Sequence, residues 1–252
     1  MSILEVKQLE KIYCGKVNYT ALNGVSFDLE KGEFVAIMGP SGSGKTTLLN
    51  CVSTIDCHTG GQIIVNGKEP HELNNDKLAK FRRQELGFVF QDFNLVNTLT
   101  VEENIILPLT LDSVPEKTMK TRLKNVAELL SIEDLLKKRT FEISGGQAQR
   151  VAIARAIIHE PSLLLADEPT GNLDSKAAKD VMELFESINK SLYTTILMVT
   201  HDAYVASFCS RVIFIKDGKL YNEIHCGDNK SEFYGKIIDM LSFLGGDRND
   251  LK

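Results

Sequence analysis

The stretch "GPSGSGKT", Gly39 to Thr46, decides the fold of this chain, and we call it the phosphate loop. It matches the pattern G-x-x-x-x-G-K-[ST] and lies between an apolar strand-like segment and the helix-like segment "TTLLNCV". Glycines allow such a loop to turn its N–H groups inward, and the N-terminus of the following helix adds positive potential. The stretch therefore predicts a cradle for the phosphates of a nucleotide.

The phosphate loop also supplies candidate ligands of ATP and Mg²⁺. Lys45 is expected to reach the β- and γ-phosphates, and the hydroxyl of Thr46 is expected to ligate Mg²⁺. A plain glycine-rich turn is the alternative, but with glycine near 7% of residues the pattern arises by chance in roughly one chain of this length in a hundred. The candidate nucleotide-binding residues of this segment are Gly39, Pro40, Ser41, Gly42, Ser43, Gly44, Lys45, Thr46 and Thr47.

A second apolar run, "SLLLADEPTGNLD" from Ser162 to Asp174, contains two adjacent carboxylates. Because successive side chains of a strand point to opposite faces, Asp167 and Glu168 are expected to have different tasks. An apolar strand followed by Asp is the usual second element of an ATPase with this loop, so we assign Asp167 to Mg²⁺ and Glu168 to the general base. Such a pair is by itself more often a solvated strand end, and the phosphate loop favours the functional interpretation.

Three further side chains are candidates by position. His201 follows the strand-like "TILMVT" and is predicted to contact the γ-phosphate. Gln91 follows "GFVF" and is predicted to contact Mg²⁺ and the attacking water, since ligands lie outside the carboxyl ends of parallel strands. Tyr13 is a candidate to stack on adenine, an interaction worth about 1–3 kcal/mol. For each residue taken alone, a structural role is the commoner explanation.

Strand-like and helix-like segments alternate along the chain, which favours an α/β fold with a largely parallel sheet. The segment from Val25 to Gly39 is predicted to form a hairpin with its turn at Lys31 and Gly32, followed by a buried strand. The Asp217-Gly218 pair predicts a closing hairpin within residues 211–224.

Helix-like patterns dominate from residue 91 to 158, which indicates a helical subdomain inserted into an α/β core of residues 2–90 and 159–225. Residues 226–252 form a polar C-terminal extension with one short amphipathic helix, which we expect to be an appendage. One face of a helix in the subdomain is predicted from the spacing of Met119, Leu123, Val126 and Leu130.

Composition and charge limit the classes of function. A net charge of −5 gives no electrostatic reason to expect a nucleic-acid partner, whose phosphates are neutralised by Lys and Arg. The five cysteines are odd in number and form no CxxC pair, so we expect neither a disulfide framework nor a zinc site. The N-terminal residues lack the pattern of a signal peptide, and no apolar run approaches the roughly 18 residues that cross a bilayer. If the protein works on a membrane, we expect another chain to cross it.

The stretch "ISGGQAQRV", Ile143 to Val151, predicts a helix start of unusual composition. Ser144 is a candidate N-cap, and Gln147 three residues later completes a capping box. Gly145 and Gly146 then lie in the first helical turn, where each costs about 0.8–1.0 kcal/mol relative to alanine. Helix stability alone leaves these two glycines unexplained.

Over roughly residues 2 to 225 the chain resembles the ATP-binding subunits of ABC transporters. It is most similar to the macrolide-exporter and lipoprotein-release group, and within that group to the Gram-positive ATPases of bacitracin and lantibiotic resistance transporters. The resemblance implies a P-loop ATPase core with an N-terminal antiparallel β-subdomain and an inserted α-helical subdomain. The motifs that carry it, in this order and spacing, are "GPSGSGKT", "FVFQD", "ISGGQ", "LLLADEPTGNLD" and "VTHD".

The resemblance further implies a head-to-tail homodimer with two ATP molecules between the subunits. In that arrangement the phosphate loop of one chain faces the "SGGQ" segment of the other, whose glycines let backbone N–H groups approach the γ-phosphate. Asp174 is then expected at the dimer seam. The residues that the resemblance adds to the nucleotide site are Ser144, Gly145, Gly146, Gln147 and Asp174.

A separate membrane permease is the second partner that the resemblance implies. A cytoplasmic coupling helix of the permease is expected in a groove near Gln91 and the helical subdomain. The chain would then lie on the cytoplasmic face of the cell membrane. A sensor kinase, reached through the permease, is a further candidate partner.

Two other classes of protein share these motifs. DNA-repair and chromosome-organising ATPases place a long coiled coil between the phosphate loop and the "SGGQ" segment, whereas here 98 residues separate Lys45 from Ser144. Regulatory ATPases that transmit force to a membrane partner without moving a substrate retain the same residues. The sequence leaves this second alternative open.

Overall fold

Residues 2–245, which the computed structural model of the protein describes, form two β-sheets and eight α-helices. The strands are β1 (Ser2–Tyr13), β2 (Tyr19–Glu30), β3 (Phe34–Met38), β4 (Gly60–Val65), β5 (Leu86–Val89), β6 (Leu163–Asp167), β7 (Thr195–Val199), β8 (Arg211–Lys216) and β9 (Lys219–His225). The helices are α1 (Lys45–Val52), α2 (Asn75–Glu85), α3 (Val101–Leu111), α4 (Glu116–Leu130), α5 (Gly145–Ile157), α6 (Ser175–Leu192), α7 (Ala203–Ala206) and α8 (Lys230–Gly245).

The larger sheet has six strands in the order β5-β6-β7-β3-β8-β9. All neighbouring pairs are parallel except β8 and β9, which form the predicted closing hairpin at Asp217 and Gly218. The central strands are buried on both faces: Val35 and Ile37 join one hydrophobic cluster, and Ala36 and Met38 join the other. This burial explains why the strands read as continuous apolar runs. The predicted α/β fold is confirmed.

The smaller sheet is antiparallel, in the order β2-β1-β4, and packs with α1 on one face of the larger sheet. The hairpin predicted for Val25 to Gly39 is wrong, because β2 pairs with β1 whereas β3 pairs with β7 and β8. The turn at Lys31 and Gly32 is present, with Gly32 at φ +80°, but it carries the chain from one sheet to the other.

The helical segment between β5 and β6 contains α3, α4 and α5, which pack against one another. The predicted face of α4 is confirmed, since Leu123 and Leu130 are buried and Met119 and Val126 pack against the same cluster. The boundaries 91 and 158 remain a prediction.

Helix α8 belongs to the folded core. Phe233, Ile237 and Leu244 are buried in the cluster that also contains the helical segment. The expectation that residues 226–252 form an appendage is therefore wrong for the described part, because the apolar face of α8 packs against the core. The remainder, residues 246–252, lies outside the described residues.

Within the described range of 2–245, no helix combines the length and the apolar character needed to cross a membrane.

Candidate active site

The phosphate loop connects the end of β3 to the start of α1 and is held against its neighbours by close backbone contacts. A Cβ atom added to Gly39 would lie 2.0 Å from the carbonyl oxygen of Ile215. One added to Gly44 would lie 2.5 Å from the carbonyl oxygen of Ala21, and Gly44 has φ +101°. Only glycine fits these two positions, since any side chain would collide with a main-chain carbonyl.

The remaining residues of the loop present a polar rim. Pro40, Ser41 and Gly42 are exposed at its tip, as is Thr46 at the start of α1. Ser43 is buried, and its hydroxyl has no hydrogen-bond partner among the residues that the structure describes. Such a buried, unpaired hydroxyl is costly unless another group supplies a partner.

Lys45 folds back across the loop. Its Nζ donates hydrogen bonds to the carbonyl oxygens of Gly39 at 2.8 Å and Pro40 at 2.9 Å. Burial lowers the pKa of Lys45, and the nearby negative charges of Glu168 and Asp167 oppose this change. The fold thus brings together the lysine and both carboxylates predicted from separate motifs.

Asp167 is the last residue of β6 and is partly buried. Burial raises the pKa of Asp167, the neighbouring charge of Glu168 raises it further, and Lys45 lowers it. Its Oδ1 is buried and lacks a hydrogen-bond partner within the described part of the chain. An unpaired carboxylate oxygen is the type of ligand that Mg²⁺ binds, so this donor fits the predicted cation.

Glu168 leaves the strand direction at φ +44°, a left-handed conformation that a residue with a side chain seldom adopts. Its N–H still donates to the carbonyl oxygen of Val199 at 2.9 Å, which ties it to the end of β7. Its carboxylate reaches the next predicted residue, with Oε1 2.9 Å from Nδ1 of His201 and Oε2 3.4 Å from the His201 main-chain nitrogen. Glu168 and His201 therefore form a pair at the carboxyl ends of two adjacent strands.

Gln91 lies against the segment that follows Glu168. Its Nε2 donates to Oδ1 of Asn172 at 3.3 Å, and Nδ2 of Asn172 donates to the carbonyl oxygen of Gln91 and to Oδ1 of Asp92. A Cβ at Gly171 would lie 2.9 Å from the Gln91 side chain. The sequence analysis missed Asn172 and Asp92, although both adjoin predicted residues.

The "SGGQ" segment begins α5 with the predicted capping box. The Ser144 N–H donates to Oε1 of Gln147 at 2.9 Å, and the Gln147 N–H donates to Oγ of Ser144 at 3.3 Å. Within one chain, Ser144 and Gln147 therefore form hydrogen bonds with each other and not with the phosphate loop.

Gly146 of this segment packs closely against the start of α6. A Cβ at Gly146 would lie 3.3 Å from Cβ of Ala177, and one at Gly145 would lie 3.6 Å from the Leu173 side chain. Asp174 caps α6, accepting hydrogen bonds from the N–H groups of Lys176 and Ala177 at 2.9 Å. The N-termini of α5 and α6 consequently lie side by side.

Gln149, one turn into α5, connects this helix to the segment after Glu168. It is fully buried, and its Nε2 donates to the carbonyl oxygen of Pro169 at 2.5 Å. The sequence analysis missed this contact because a glutamine on an apolar helix gives no local signal of its distant partner.

Two tyrosines flank the phosphate loop from the smaller sheet. Tyr13 and Tyr19 are cross-strand partners of β1 and β2, and 40% and 56% of their surfaces are exposed. The hydroxyl of Tyr19 donates to the carbonyl oxygen of Gly42 at 3.2 Å, a contact that sequence analysis missed. The hydroxyl of Tyr13 instead donates to Oδ2 of Asp56 at 2.9 Å.

The geometry therefore gathers Lys45, Asp167, Glu168 and His201 at the carboxyl edge of the sheet, with Gln91 beside the adjoining loop. The sequence profile described as "ABC transporter" matches residues 22–171, more than half of the chain. The chain belongs to the ABC transporter family. As an ABC-type ATPase subunit it binds and hydrolyses ATP, and the resemblance drawn from its motifs is confirmed.

Similar ABC proteins match nearly the whole chain. The ABC transporter ATP-binding protein YxdL of Bacillus subtilis is 62% identical over 99% of this chain and 97% of its own length. The bacitracin export ATP-binding protein BceA of Halalkalibacterium halodurans is 50% identical over 99% of this chain and 100% of its own length. A solved dimeric structure of the ATP-binding cassette MJ0796, bound to ADP and Pi, has a TM-score of 0.81 at 38% identity and covers 90% of this chain and 100% of that chain.

Proposed function

We propose that this ABC ATPase powers a separate membrane permease that confers resistance to antimicrobial peptides such as bacitracin, by exporting the peptide or releasing it from its target. The observation that carries the proposal is the 50% identity to the bacitracin export protein BceA over the full length of both chains. The alternative is an ATP-driven mechanical or signalling module that acts on a membrane partner without transport, either of the cell-division type or of a type that reports the peptide to a sensor kinase through the permease.

In the proposed reaction, the N–H groups of the phosphate loop and Lys45 hold the nucleotide phosphates. Thr46, Asp167 and Gln91 would hold Mg²⁺, which would neutralise charge on the phosphates. Asp167 supports this assignment through its buried, unpaired Oδ1 among the described residues.

Glu168 accepts the proton of the attacking water, and His201 keeps its carboxylate in place. The 2.9 Å contact between Nδ1 of His201 and Oε1 of Glu168 supports this division of tasks. A positioned general base accelerates such a reaction by about 10²–10⁴-fold. The same carboxylate lies near Lys45, so the base and the phosphate cradle act at one place.

The complete site is proposed to form between two copies of the chain. The dimeric structures of MJ0796 support such an assembly. The helix N-terminus at Gly145 and Gly146 then provides N–H groups for the γ-phosphate bound to the partner subunit, and Ser144 exchanges its capping bond for a phosphate contact. Because ATP contacts both chains only in the closed state, a difference in affinity of about 5.5 kcal/mol would shift the closed fraction from 1% to 99%.

The permease is proposed to dock at a groove beside Gln91, on the cytoplasmic face of the membrane. The stacked rings of Phe88 and Phe90, with centroids 4.0 Å apart, form one wall of this groove. Leu107 and Leu111 of α3 extend it, and 61% of the Leu111 surface is exposed. An exposed apolar wall of this type suits a helix that presents apolar side chains.

The test is to co-express the chain with a candidate permease in a bacitracin-sensitive host. Leu111→Asp is expected to abolish both co-purification and resistance, while the ATPase activity of the isolated chain stays unchanged. Leu192→Asp is the matched control, because Leu192 is another leucine with more than half of its surface exposed, at the end of α6. Intact complex and ATPase activity without resistance, accompanied by activation of the kinase, would favour the signalling alternative.

A further inference from the structure

Tyr13 is part of a polar cluster that lies beside the phosphate loop. The other members are Lys11, two residues earlier on β1, and the turn of Asp56 and Cys57 that follows α1. Residues i and i+2 of a strand lie on the same face, so the side chains of Lys11 and Tyr13 are neighbours.

Lys11 is a buried cation with its charge fully compensated. Its Nζ lies 2.6 Å from Oδ1 of Asp56 and 2.5 Å from the carbonyl oxygen of Cys57, and only 9% of its side chain is exposed. Burial opposes the charged form of Lys11, but the hydrogen bond and the charge of Asp56 outweigh burial and raise the pKa of Lys11. The hydrogen bond from Lys11 in turn lowers the pKa of Asp56, so the pair remains ionised.

This ion pair holds the Tyr13 ring at two points. Oδ2 of Asp56, the oxygen not used by Lys11, accepts the hydrogen bond from the phenol at 2.9 Å. Nζ of Lys11 lies 4.7 Å from the ring centroid, within the range of a cation–π contact. Because 40% of Tyr13 is still exposed, the ring remains open to a further group.

The same cluster is joined to the phosphate loop through a single helix. The Asp56 N–H donates to the carbonyl oxygen of Asn50 in α1, and α1 begins at Lys45. An α-helix of eight residues spans about 12 Å. The position of the cluster relative to the phosphate loop is therefore set by a rigid element.

From this arrangement we infer that the ion pair of Lys11 and Asp56 positions Tyr13 as the stacking platform for the nucleobase. The pair thereby contributes to recognition of the base separately from that of the phosphates. This inference rests on the proposed ATPase function and on the stacking of Tyr13 on adenine that the sequence predicts. Lys11 and Asp56 are positioning residues, since they act through the ring.

The experiment compares equilibrium binding of ADP and of pyrophosphate, both with Mg²⁺ and both bound without hydrolysis, by titration calorimetry. Tyr13→Phe keeps the ring and the ion pair but removes the hydroxyl, and it is expected to weaken ADP binding by about threefold or more. Asp56→Asn is expected to weaken ADP binding similarly, and to have a smaller effect in the Tyr13→Phe background, where the hydrogen bond to the ring is already lost. Pyrophosphate binding should stay within about twofold in every variant.

Two further variants make each result decisive. Tyr221→Phe removes the hydroxyl of another half-exposed tyrosine, on β9. This variant should bind ADP and pyrophosphate as the wild type does. Tyr13→Ala removes the platform and should weaken ADP binding by about fivefold or more. If Tyr13→Ala binds ADP as the wild type does, the proposed role of Tyr13 itself fails.

If Tyr13→Ala weakens ADP binding while Tyr13→Phe and Asp56→Asn do not, only the positioning role is overturned. Additive effects of these two changes, or equal weakening of ADP and pyrophosphate, would also contradict it. Tyr13→Phe leaves the ion pair in place, so it remains informative should Asp56→Asn fail to fold.

Discussion

Oε1 of Glu168 lies 2.9 Å from Nδ1 of His201, and the other oxygen of the same carboxylate lies 3.4 Å from the main-chain nitrogen of His201. One residue at the end of β7 thus holds both oxygens of the proposed general base. Glu168 is also tied to β7 through its N–H and has a left-handed backbone conformation. Strain of this kind persists only where the surrounding contacts fix it, which is common at catalytic positions.

Replacing His201 with alanine removes the contact of its Nδ1 with Oε1 of Glu168 and leaves the main-chain contact in place. We expect kcat for ATP hydrolysis to fall roughly tenfold or more, because an unrestrained carboxylate loses alignment with the water. KM for ATP should change little, since Lys45 and the phosphate loop are untouched. Steady-state kinetics of His201→Ala beside His225→Ala, another exposed histidine next to a glutamate, provide the measurement. A rise in KM at unchanged kcat would refute the positioning role.

Gly44 and Gly42 both have positive φ, but only Gly44 has a close neighbour. Gly42→Ala should cost about 1–2 kcal/mol in free energy of unfolding, the strain of a left-handed residue. Gly44→Ala should cost more than about 2 kcal/mol, because its Cβ would also collide with the Ala21 carbonyl oxygen. Denaturant unfolding of the two variants compares them directly, and equal losses would show that the close contact is unimportant.

The cysteines should react in an order set by burial. Cys14 and Cys57 are exposed, whereas Cys51 and Cys209 are buried. Burial raises the pKa of Cys51 to about 12, so at pH 8 only about one molecule in 10⁴ carries its thiolate. A disulfide reagent should therefore modify two thiols quickly, Cys226 more slowly, and Cys51 and Cys209 only after unfolding. Rapid reaction of all five thiols in the native protein would contradict the packing described for α1.

A carboxylate placed at Gly146 should block the part of the ATP site that the "SGGQ" segment provides to the partner subunit. Gly146→Asp is expected to leave ADP binding intact, since the phosphate loop lies elsewhere in the chain, but to lower ATP hydrolysis by roughly 10²-fold or more. Repulsion of the γ-phosphate and crowding against Ala177, 3.3 Å from the added Cβ, are the causes. Gly235→Asp introduces the same charge at an open position of α8 and should be active. A rate of ATP hydrolysis by Gly146→Asp within twofold of the wild-type rate would contradict the role of Gly146 at the γ-phosphate.

Elements with a strong local pattern could be predicted from the sequence. β6 and β7 are continuous apolar runs because they are buried on both faces, and α4 shows one apolar face at helical spacing. The bounds of helix α2 could not be predicted, since Phe81 is its single buried residue and gives no periodicity. The hairpin at Gly32 failed because a turn fixes the local direction of the chain but not the sheet in which the next strand pairs.

Candidate site residues can be selected from the sequence, but the contacts between them cannot. Lys45, Asp167 and Glu168 are recognisable from motifs in which neighbouring residues form a fixed pattern. The bond of Lys11 to Asp56 joins residues 45 positions apart, and that of Gln91 to Asn172 joins residues 81 apart. Such pairings depend on how the strands and helices pack, which no local pattern contains.

We propose that hydrolysis takes place between two copies of the chain and depends on Glu168. Glu168→Gln preserves the shape of the side chain but removes its basicity, so it should bind ATP without turning it over. The mass of this variant in solution, measured by light scattering, should rise from 28.0 kDa to about twice that value with Mg²⁺ and ATP, and should remain at 28.0 kDa with ADP. A mass that stays at one chain with ATP, or rapid ATP hydrolysis by Glu168→Gln, would contradict the account.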